Sequence, residues 1–159
     1  LARYKKFAET DDFYTPALLH DMGKLILGKF VKEHREKIES ITTNGTSLDT
    51  AEKMALGTNH AEIGALILAK WSFPSDIVDA VRWHHNPERI EISNRKSDIV
   101  YLSNLMCQSH GDSDSADGRF VMTSSTVLER LGIELDQYKL MAEKVHSYMN
   151  RLSDTLTFD

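Results

Sequence analysis

The chain has 159 residues, enough for one domain with a real core, and its formal net charge is −5. No strongly basic segment is present, so we expect no nucleic-acid partner, because binding a phosphate backbone needs a broad cationic face. The longest apolar runs, such as IGALILA, are far too short to span a bilayer, so we expect no membrane partner. The single cysteine excludes an intrachain disulfide and fits a reducing, cytoplasmic setting.

The first helical patterns begin at the start of the chain. The sequence opens in a helical pattern at Leu1 with no lead-in, and we therefore expect a chain truncated on its N-terminal side. Thr15 and Pro16 predict a helix start, with Thr15 as the N-cap. This helix is predicted to continue to the turn at residues 44–45. It carries a broad apolar face made of Leu18, Leu19, Met22, Leu25, Ile26 and Phe30.

Helical patterns also fill most of the remaining chain, and strand patterns are nearly absent. We predict helices over about 47–54, 59–71, 74–85, 97–109, 123–132 and 135–152. The segment GDSDSADG resembles a calcium loop, but it lacks the Glu needed at the twelfth position and is predicted to be a solvated loop. Trp71 and Trp83 are expected to anchor the core. The predicted fold class is all-α, with residues 1–159 forming one domain.

Five residues of metal-binding type lie against apolar helical stretches. They occur in LLHDMGKLIL, NHAEIGALILAKW and IVDAVRWHHNPE, and they are His20, Asp21, His60, His84 and His85. Imidazole nitrogens and carboxylate oxygens bind divalent metals. A polar cluster inside an apolar core must be paired, hydrogen-bonded or bound to metal. The sequence therefore predicts that these residues meet at one interior point as metal ligands.

Each part of this constellation also has a simpler interpretation. His20 and Lys24 are four residues apart, so Lys24 could bind a phosphate oxygen beside a metal held by His20 and Asp21. Alternatively, His20 and Asp21 form a local pair and Lys24 is a solvated cation. His60 begins a helix, where the dipole favours the neutral, metal-binding ring, or it is simply a polar residue near an N-cap. The HH pair binds one metal, bridges two, or comprises one core histidine and one exposed histidine.

The stretches LLHDMGKLIL and NHAEIGALILAKWSFPSDIVDAVRWHHNPE resemble the HD superfamily of metal-dependent phosphohydrolases, and more closely the HDOD domain, its bacterial signalling offshoot. The resemblance runs from about Leu1 to Leu105 and is most specific between Asn59 and Pro87. It implies an HD-domain-like helical bundle, a cytoplasmic location and linkage to receiver or other signalling domains. The expected partners are therefore other signalling domains or proteins, and a homodimer is an open alternative.

The chain also departs from active HD enzymes. Those enzymes have another His in a helix upstream of the HD pair, whereas residues 1–19 contain no His. They also carry an Asp after the HH pair, where the best counterpart here is Asn104, a neutral and much poorer ligand. The related cyclic-di-GMP phosphodiesterases follow their HH pair with a DG…GYP segment. This chain has NPERIEIS instead, so that specific activity is not supported.

These observations leave three hypotheses. The favoured one is a bacterial signal-transduction module of the HDOD type with a degraded metal site and little or no catalysis. The second is a metal-dependent phosphohydrolase that hydrolyses a nucleotide or cyclic dinucleotide with a metal-activated water. In it Asp21 and Lys24 are catalytic, and one or two divalent metals (Fe, Mn, Ni, Zn or Mg) are held by His20, Asp21, His60, His84 and His85. In the third, the histidines only stabilise a core.

Overall fold

The computed structural model describes residues 1, 10–43, 45–90, 94–111 and 123–156. Within these ranges all regular structure is helical, which confirms the all-α class. The α-helices are α1 (Tyr14–Leu19), α2 (Gly23–Glu33), α3 (Arg35–Thr43), α4 (Leu48–Leu56), α5 (His60–Lys70), α6 (Ser75–Trp83), α7 (Arg95–Gly111), α8 (Ser125–Leu131) and α9 (Leu135–Leu156). Short 3₁₀ helices cover Thr10–Phe13 and Pro87–Arg89.

Two sequence predictions lie outside this coverage. They are the opening helix over residues 2–9 and the loop predicted for GDSDSADG, from residue 112 onward. In the described ranges, none of the helices combines the length and the apolar character that crossing a bilayer requires.

The single long helix predicted from Thr15 is wrong, because the chain breaks twice. After α1, residues 20–22 form a turn in which the Met22 amide donates to the Leu19 carbonyl at 3.0 Å. A second break at His34 separates α2 from α3. Thr15 lies inside α1 rather than capping it, since the cap position is Phe13. The first break matters for function because it includes the HD pair.

Close packing of α2 on α5 depends on Gly23. A Cβ at this position would lie 1.9 Å from the carbonyl oxygen of His60 and 2.9 Å from the amide nitrogen of Gly64. Only glycine fits this approach, because any side chain would overlap the backbone of α5. The contact holds the turn at residues 20–22 beside the first turn of α5.

The helix boundaries near the predicted site follow from local signals. Gly57 ends α4 in the left-handed conformation, with φ of 78°, which a residue with a side chain rarely adopts. Asn59, where the sequence predicts a helix to start, caps α5, and its side chain accepts a hydrogen bond from the amide of Glu62 at 2.9 Å. His60 is therefore the first residue of α5, and its position is set by the cap.

The buried apolar residues form two groups, and the first includes two residues of α6 itself. The first, here called the inner core, is formed by Ala65, Leu68, Val78 and Val81. The second, here called the aliphatic core, joins α7, α8 and α9 and comprises Phe13, Ile99, Leu102, Met106, Val127, Leu128, Leu131, Ile133, Tyr138, Met141 and Ala142. Because α6 packs against both α5 and α7, it connects the two regions.

The predicted apolar face of the first helical segment is only partly buried. Within that face Leu19 and Met22 are half-buried, whereas Leu18, Ile26 and Phe30 are exposed and Leu25 is 86% exposed. The buried leucine of α2 is Leu27, which lies outside the predicted face. Trp71 is 62% exposed, so its prediction as a core anchor is wrong. It directly follows the last residue of α5, and no element of the described chain covers it. Trp83 is half-buried at the end of α6.

Candidate metal centre

Four of the five predicted ligands converge where three parts of the fold meet. Asp21 lies in the turn between α1 and α2, His60 begins α5, and His84 and His85 directly follow α6. One ligand atom from each of these residues lies within 4.8 Å of all the others. The interior meeting point predicted from the sequence is therefore present, although the residues are up to 64 positions apart (21 to 85).

The ligand atoms are close enough to share one ion. His60 Nε2 lies 2.8 Å from His85 Nε2 and 3.4 Å from Asp21 Oδ1. His84 Nε2 lies 3.8 Å from the same Asp21 oxygen. These separations suit ligands around a divalent cation, whose bonds to nitrogen and oxygen are about 2.0–2.2 Å for zinc.

Two of these ligand atoms are buried and have no hydrogen-bond partner among the described residues. They are Asp21 Oδ1 and His84 Nε2. A buried polar atom left unpaired costs roughly 1–3 kcal/mol of stability, so native proteins rarely retain two side by side. A bound cation would satisfy both atoms at once. The donor set, three imidazoles and one carboxylate, therefore fits a divalent metal ion.

The protein orients the two fully buried rings through their other nitrogen. His84 Nδ1 donates to the carbonyl oxygen of Val81 at 2.7 Å. His60 Nδ1 lies 2.6 Å from Glu52 Oε2 and donates to that carboxylate. A histidine that donates from Nδ1 keeps its lone pair on Nε2, which is the atom that both rings direct at the cluster.

Sequence reasoning missed Glu52, the residue that holds His60. Glu52 is 2% exposed on α4, and its Oε2 accepts hydrogen bonds from the backbone amide of His60 at 2.9 Å and from the ring. Carboxylates that accept from a ligating histidine fix the ring and raise its basicity. The available signal was an acidic residue in the stretch TAEKMAL, eight residues before His60, but an isolated Glu on a helix is usually exposed.

His20 and Lys24 surround the other oxygen of Asp21. Lys24 Nζ donates to Asp21 Oδ2 at 2.8 Å, and His20 Nε2 lies 3.4 Å from the same oxygen. His20 also donates from Nδ1 to the Ala17 carbonyl at 2.7 Å, and its ring meets that of His84 edge-on at 5.0 Å. His20 thus lies beside the cluster without belonging to the four residues whose ligand atoms converge. Lys24 is ion-paired with Asp21.

The surroundings of these side chains set their protonation. Burial opposes ionisation of Asp21, but hydrogen bonds from His20 and Lys24 outweigh it and hold the pKa of Asp21 far below its usual range. Burial, reinforced by His85, lowers the pKa of His84 to about 2. Burial also lowers the pKa of His85 to about 4. At neutral pH the site therefore offers an ionised carboxylate and neutral rings at 84 and 85, which are the forms that bind metals.

The sequence indicates Asn104 of α7 as the best counterpart of the Asp that active HD enzymes carry in the helix after the HH pair. It lines a cleft of about 290 Å³ together with His84 and His85. The acidic residue that lines this cleft is Asp49 of α4, and α7 supplies the neutral amide of Asn104. An amide is a poorer ligand for a divalent metal than a carboxylate, so this side of the centre lacks a strong donor.

Comparison with known proteins places this fold and site in a family. The chain belongs to the HDOD domain family, whose model matches residues 1–87. A crystal structure of an HDOD domain protein with unknown function from Geobacter sulfurreducens is similar at a TM-score of 0.71 and 22% identity, over 94% of this chain and 54% of that one. The family resemblance inferred from the sequence is thereby confirmed.

Two further proteins are similar to parts of the chain. The crystal structure of a "Putative phosphohydrolase" from Shewanella amazonensis SB2B gives a TM-score of 0.62 at 20% identity, over 84% of this chain and 50% of that one. An uncharacterized protein of Treponema pallidum is 30% identical over 79 residues, which cover 47% of this chain and 15% of that protein. The chain thus spans about half the length of the two solved structures, and these likenesses support the helical fold.

Proposed function

We propose that this protein is an HDOD signal-transduction module whose metal centre acts as a structural clip or sensor, with little or no hydrolysis. The observation that carries the proposal is the pair of buried ligand atoms, Asp21 Oδ1 and His84 Nε2, that no described residue satisfies. A divalent ion of Fe, Mn, Ni, Zn or Mg would supply the missing positive charge there. Asp21, His60, His84 and His85 would hold it and thereby join the turn at residues 20–22 to α5 and α6.

The surroundings of the centre favour a sensor over an efficient hydrolase. Four protein ligands complete a tetrahedral shell, whereas catalytic sites of this geometry keep a position open for water or substrate. Asn104 supplies no negative charge on the α7 side. Lys24, the residue predicted to bind phosphoryl oxygens, is held by Asp21 at 2.8 Å and would have to leave that ion pair to contact a substrate. We therefore describe the metal site as degraded: it would bind a metal but lacks groups that an efficient hydrolase needs.

A phosphohydrolase acting on a nucleotide or cyclic dinucleotide is the second candidate. The cleft beside His84 and His85 favours it, because this cleft connects the centre to solvent and would admit a phosphate ester. A divalent metal held by Asp21, His60, His84 and His85 would supply a Lewis acid and would lower the pKa of a water molecule at the site. In this candidate Asp21 holds the metal and Lys24 neutralises charge on the phosphoryl group.

Metal content and hydrolysis, measured on the same preparation, separate the two candidates. We expect about one equivalent of divalent metal by elemental analysis, and no turnover of bis(p-nitrophenyl) phosphate above buffer. Asp21→Ala and His84→Ala should each lose most of the metal. His34→Ala is the matched control, because His34 is exposed and remote from the cluster, and it should keep the metal of the parent chain.

Two results would change the assignment. Turnover that follows metal loading and disappears in Asp21→Ala would favour the phosphohydrolase. A folded parent chain that binds none of the five metals would contradict the metal centre and leave histidines that only stabilise a core. We further propose that the module works with other signalling domains or proteins in the cytoplasm, with a homodimer as the alternative.

A further inference from the structure

A second cleft, of about 220 Å³, lies next to the metal centre between α4, the start of α5 and the end of α6. We call it the arginine cleft and define it by Lys53, Arg82, Trp83, His85 and Arg89, which line it. His85 belongs to this cleft and also to the ligand cluster, so whatever binds in the cleft lies beside the metal centre.

The three cationic side chains of the arginine cleft differ in whether they are free to bind an anionic ligand. Lys53 donates to both carboxylate oxygens of Glu62 at 2.7 Å and is therefore neutralised. The guanidinium groups of Arg82 and Arg89 make no hydrogen bond or salt bridge to any side chain in the described part of the chain, although Arg82 acts on Glu62 at longer range. Two guanidinium groups with no side-chain partner among the described residues therefore line one concave site. They favour an anionic ligand.

The chemistry of the lining fits an anion that offers two oxygen atoms to a guanidinium group, as a phosphate does. Guanidinium presents a planar fork of donors that matches two phosphate oxygens, and such charge-assisted bonds are among the strongest polar contacts in proteins. Two acidic residues also line the cleft and could neutralise the arginines. However, Glu62 is held by Lys53 and Thr58, and Asp49, on the α4 side, forms no salt bridge to either arginine in the described chain.

Trp83 adds a surface for a planar group. It follows Arg82 directly, is half-buried and lines the same cleft. Aromatic side chains stack on nucleobases with a strength of roughly 1–3 kcal/mol per base, and they do so with little dependence on the base. A flat apolar ring beside two guanidinium groups is the combination that binds the base and phosphate of one nucleotide.

We propose that the arginine cleft binds a nucleoside phosphate, with its phosphate on Arg82 and Arg89 and its base against Trp83. This inference deepens the proposed function, because it names the chemical class of the signal that the module senses. Binding would bring negative charge next to His85 and so act on the residues that hold the metal.

Tryptophan fluorescence tests the inference directly. Trp71 is exposed and does not line the cleft, so Trp71→Phe leaves Trp83 as the reporter without changing the site. We expect adenosine and guanosine 5′-monophosphate to quench Trp83 in a saturable way in this variant, treated with EDTA. Inorganic phosphate and adenosine should each bind more weakly by about tenfold or more, because each makes only part of the contacts. Isothermal titration calorimetry on the parent chain should give the same order.

Arginine variants give the decisive comparison. Arg82→Gln and Arg89→Gln should each weaken nucleotide binding by about tenfold, the effect of losing one charge-assisted contact. Arg35→Gln removes an exposed arginine that pairs with Glu39 on α3, and it should leave binding unchanged. Arg82→Lys keeps the charge but not the fork and should bind with intermediate affinity. Circular dichroism establishes that each variant is folded.

The outcomes separate this inference from the proposed function. Nucleotide binding that depends on Arg82, in a folded chain that takes up none of the five metals when they are supplied, would support the cleft while contradicting the metal centre. Stoichiometric metal together with no calorimetric or fluorescence response to either nucleotide up to millimolar concentration would overturn the cleft and leave the metal centre standing. Equal binding of inorganic phosphate and nucleotide would overturn the role of Trp83 and reduce the site to one for a simple anion.

Discussion

The metal centre and the aliphatic core are both interior, yet they are stabilised by opposite means. The aliphatic core excludes water from apolar side chains, such as Leu102, and gains roughly 25 cal/mol for each Å² of apolar surface buried. The candidate metal centre buries His60, His84 and Glu52 and leaves two ligand atoms without partners among the described residues. The first region stabilises the fold by itself. The second would be completed by the metal ion proposed above, and a site of that kind keeps function at the expense of stability.

The largest effect that separates the two regions should come from Leu102→Ala. Leu102 is fully buried on α7, so truncation removes apolar contacts and leaves a cavity. We expect the free energy of unfolding to fall by about 2–5 kcal/mol, measured by urea denaturation. Metal stoichiometry of the molecules that remain folded should not change. Loss of metal in a folded Leu102→Ala variant would show that the two regions are not independent.

Gly23→Ala should damage the metal centre and the fold together. The added methyl group would overlap the His60 carbonyl, so α2 and α5 must move apart and Asp21 must shift away from His60. We expect a loss of about 1–3 kcal/mol in the free energy of unfolding and most of the bound metal, measured by denaturation and elemental analysis.

The matched glycine variant is Gly28→Ala, on the same helix. A Cβ at Gly28 would meet nothing within 4 Å, so we expect a gain of about 0.5–1 kcal/mol from helix propensity and unchanged metal content. If Gly23→Ala behaved like Gly28→Ala, the close approach of α2 and α5 would not be what places Asp21.

Glu52→Gln should affect ligand binding more than folding. The glutamine oxygen can still accept from the amide and ring of His60, but the negative charge beside the ring is lost. We expect metal affinity to fall by about tenfold or more, measured by competition with a chelating dye. Glu33→Gln, an exposed change on α2, is the control and should have no effect. Equal affinity in both variants would assign Glu52 a purely structural role.

Lowering the pH should reduce the free energy of unfolding of the metal-free protein, because His84 and His85 are buried as neutral rings. The pKa values of His84 and His85, about 2 and about 4, lie below the usual value of 6.5, so these rings stay neutral in the folded state while they gain protons in the unfolded state. The free energy of unfolding is therefore highest above about pH 6.5. Below that pH it falls by up to about 1.4 kcal/mol per pH unit for each histidine.

His20 has the opposite effect on the pH dependence of the free energy of unfolding. Burial disfavours its charged form, but the Asp21 and Ala17 hydrogen bonds outweigh burial and raise the pKa of His20. The net slope should therefore be smaller than that of two histidines. Urea denaturation in EDTA from about pH 7 to about pH 5 measures it, and His34→Gln should not alter it. Stability that is flat over this range would contradict the buried, neutral state of the HH pair.

Local signals in the sequence were sufficient for much of the fold near the site. The helical patterns predicted a start near Asn59 for α5 and at Pro74 for α6, because periodicity and proline geometry depend on neighbouring residues alone. The same signals did not predict the turn at residues 20–22. That break depends on the approach of Gly23 to the His60 carbonyl, a contact between residues 37 positions apart (23 to 60).

The sequence by itself determined which residue types were available: an all-helical chain with an HD pair, a helix-initial histidine and an HH pair, each set against apolar neighbours. The tertiary structure alone decided that Glu52 orients His60, that His20 lies beside the four converging ligands, and that Leu25 and Trp71 face outward. The physical reason is that periodicity and caps are set within a few residues along the chain. What a side chain faces depends on which distant segment packs against it.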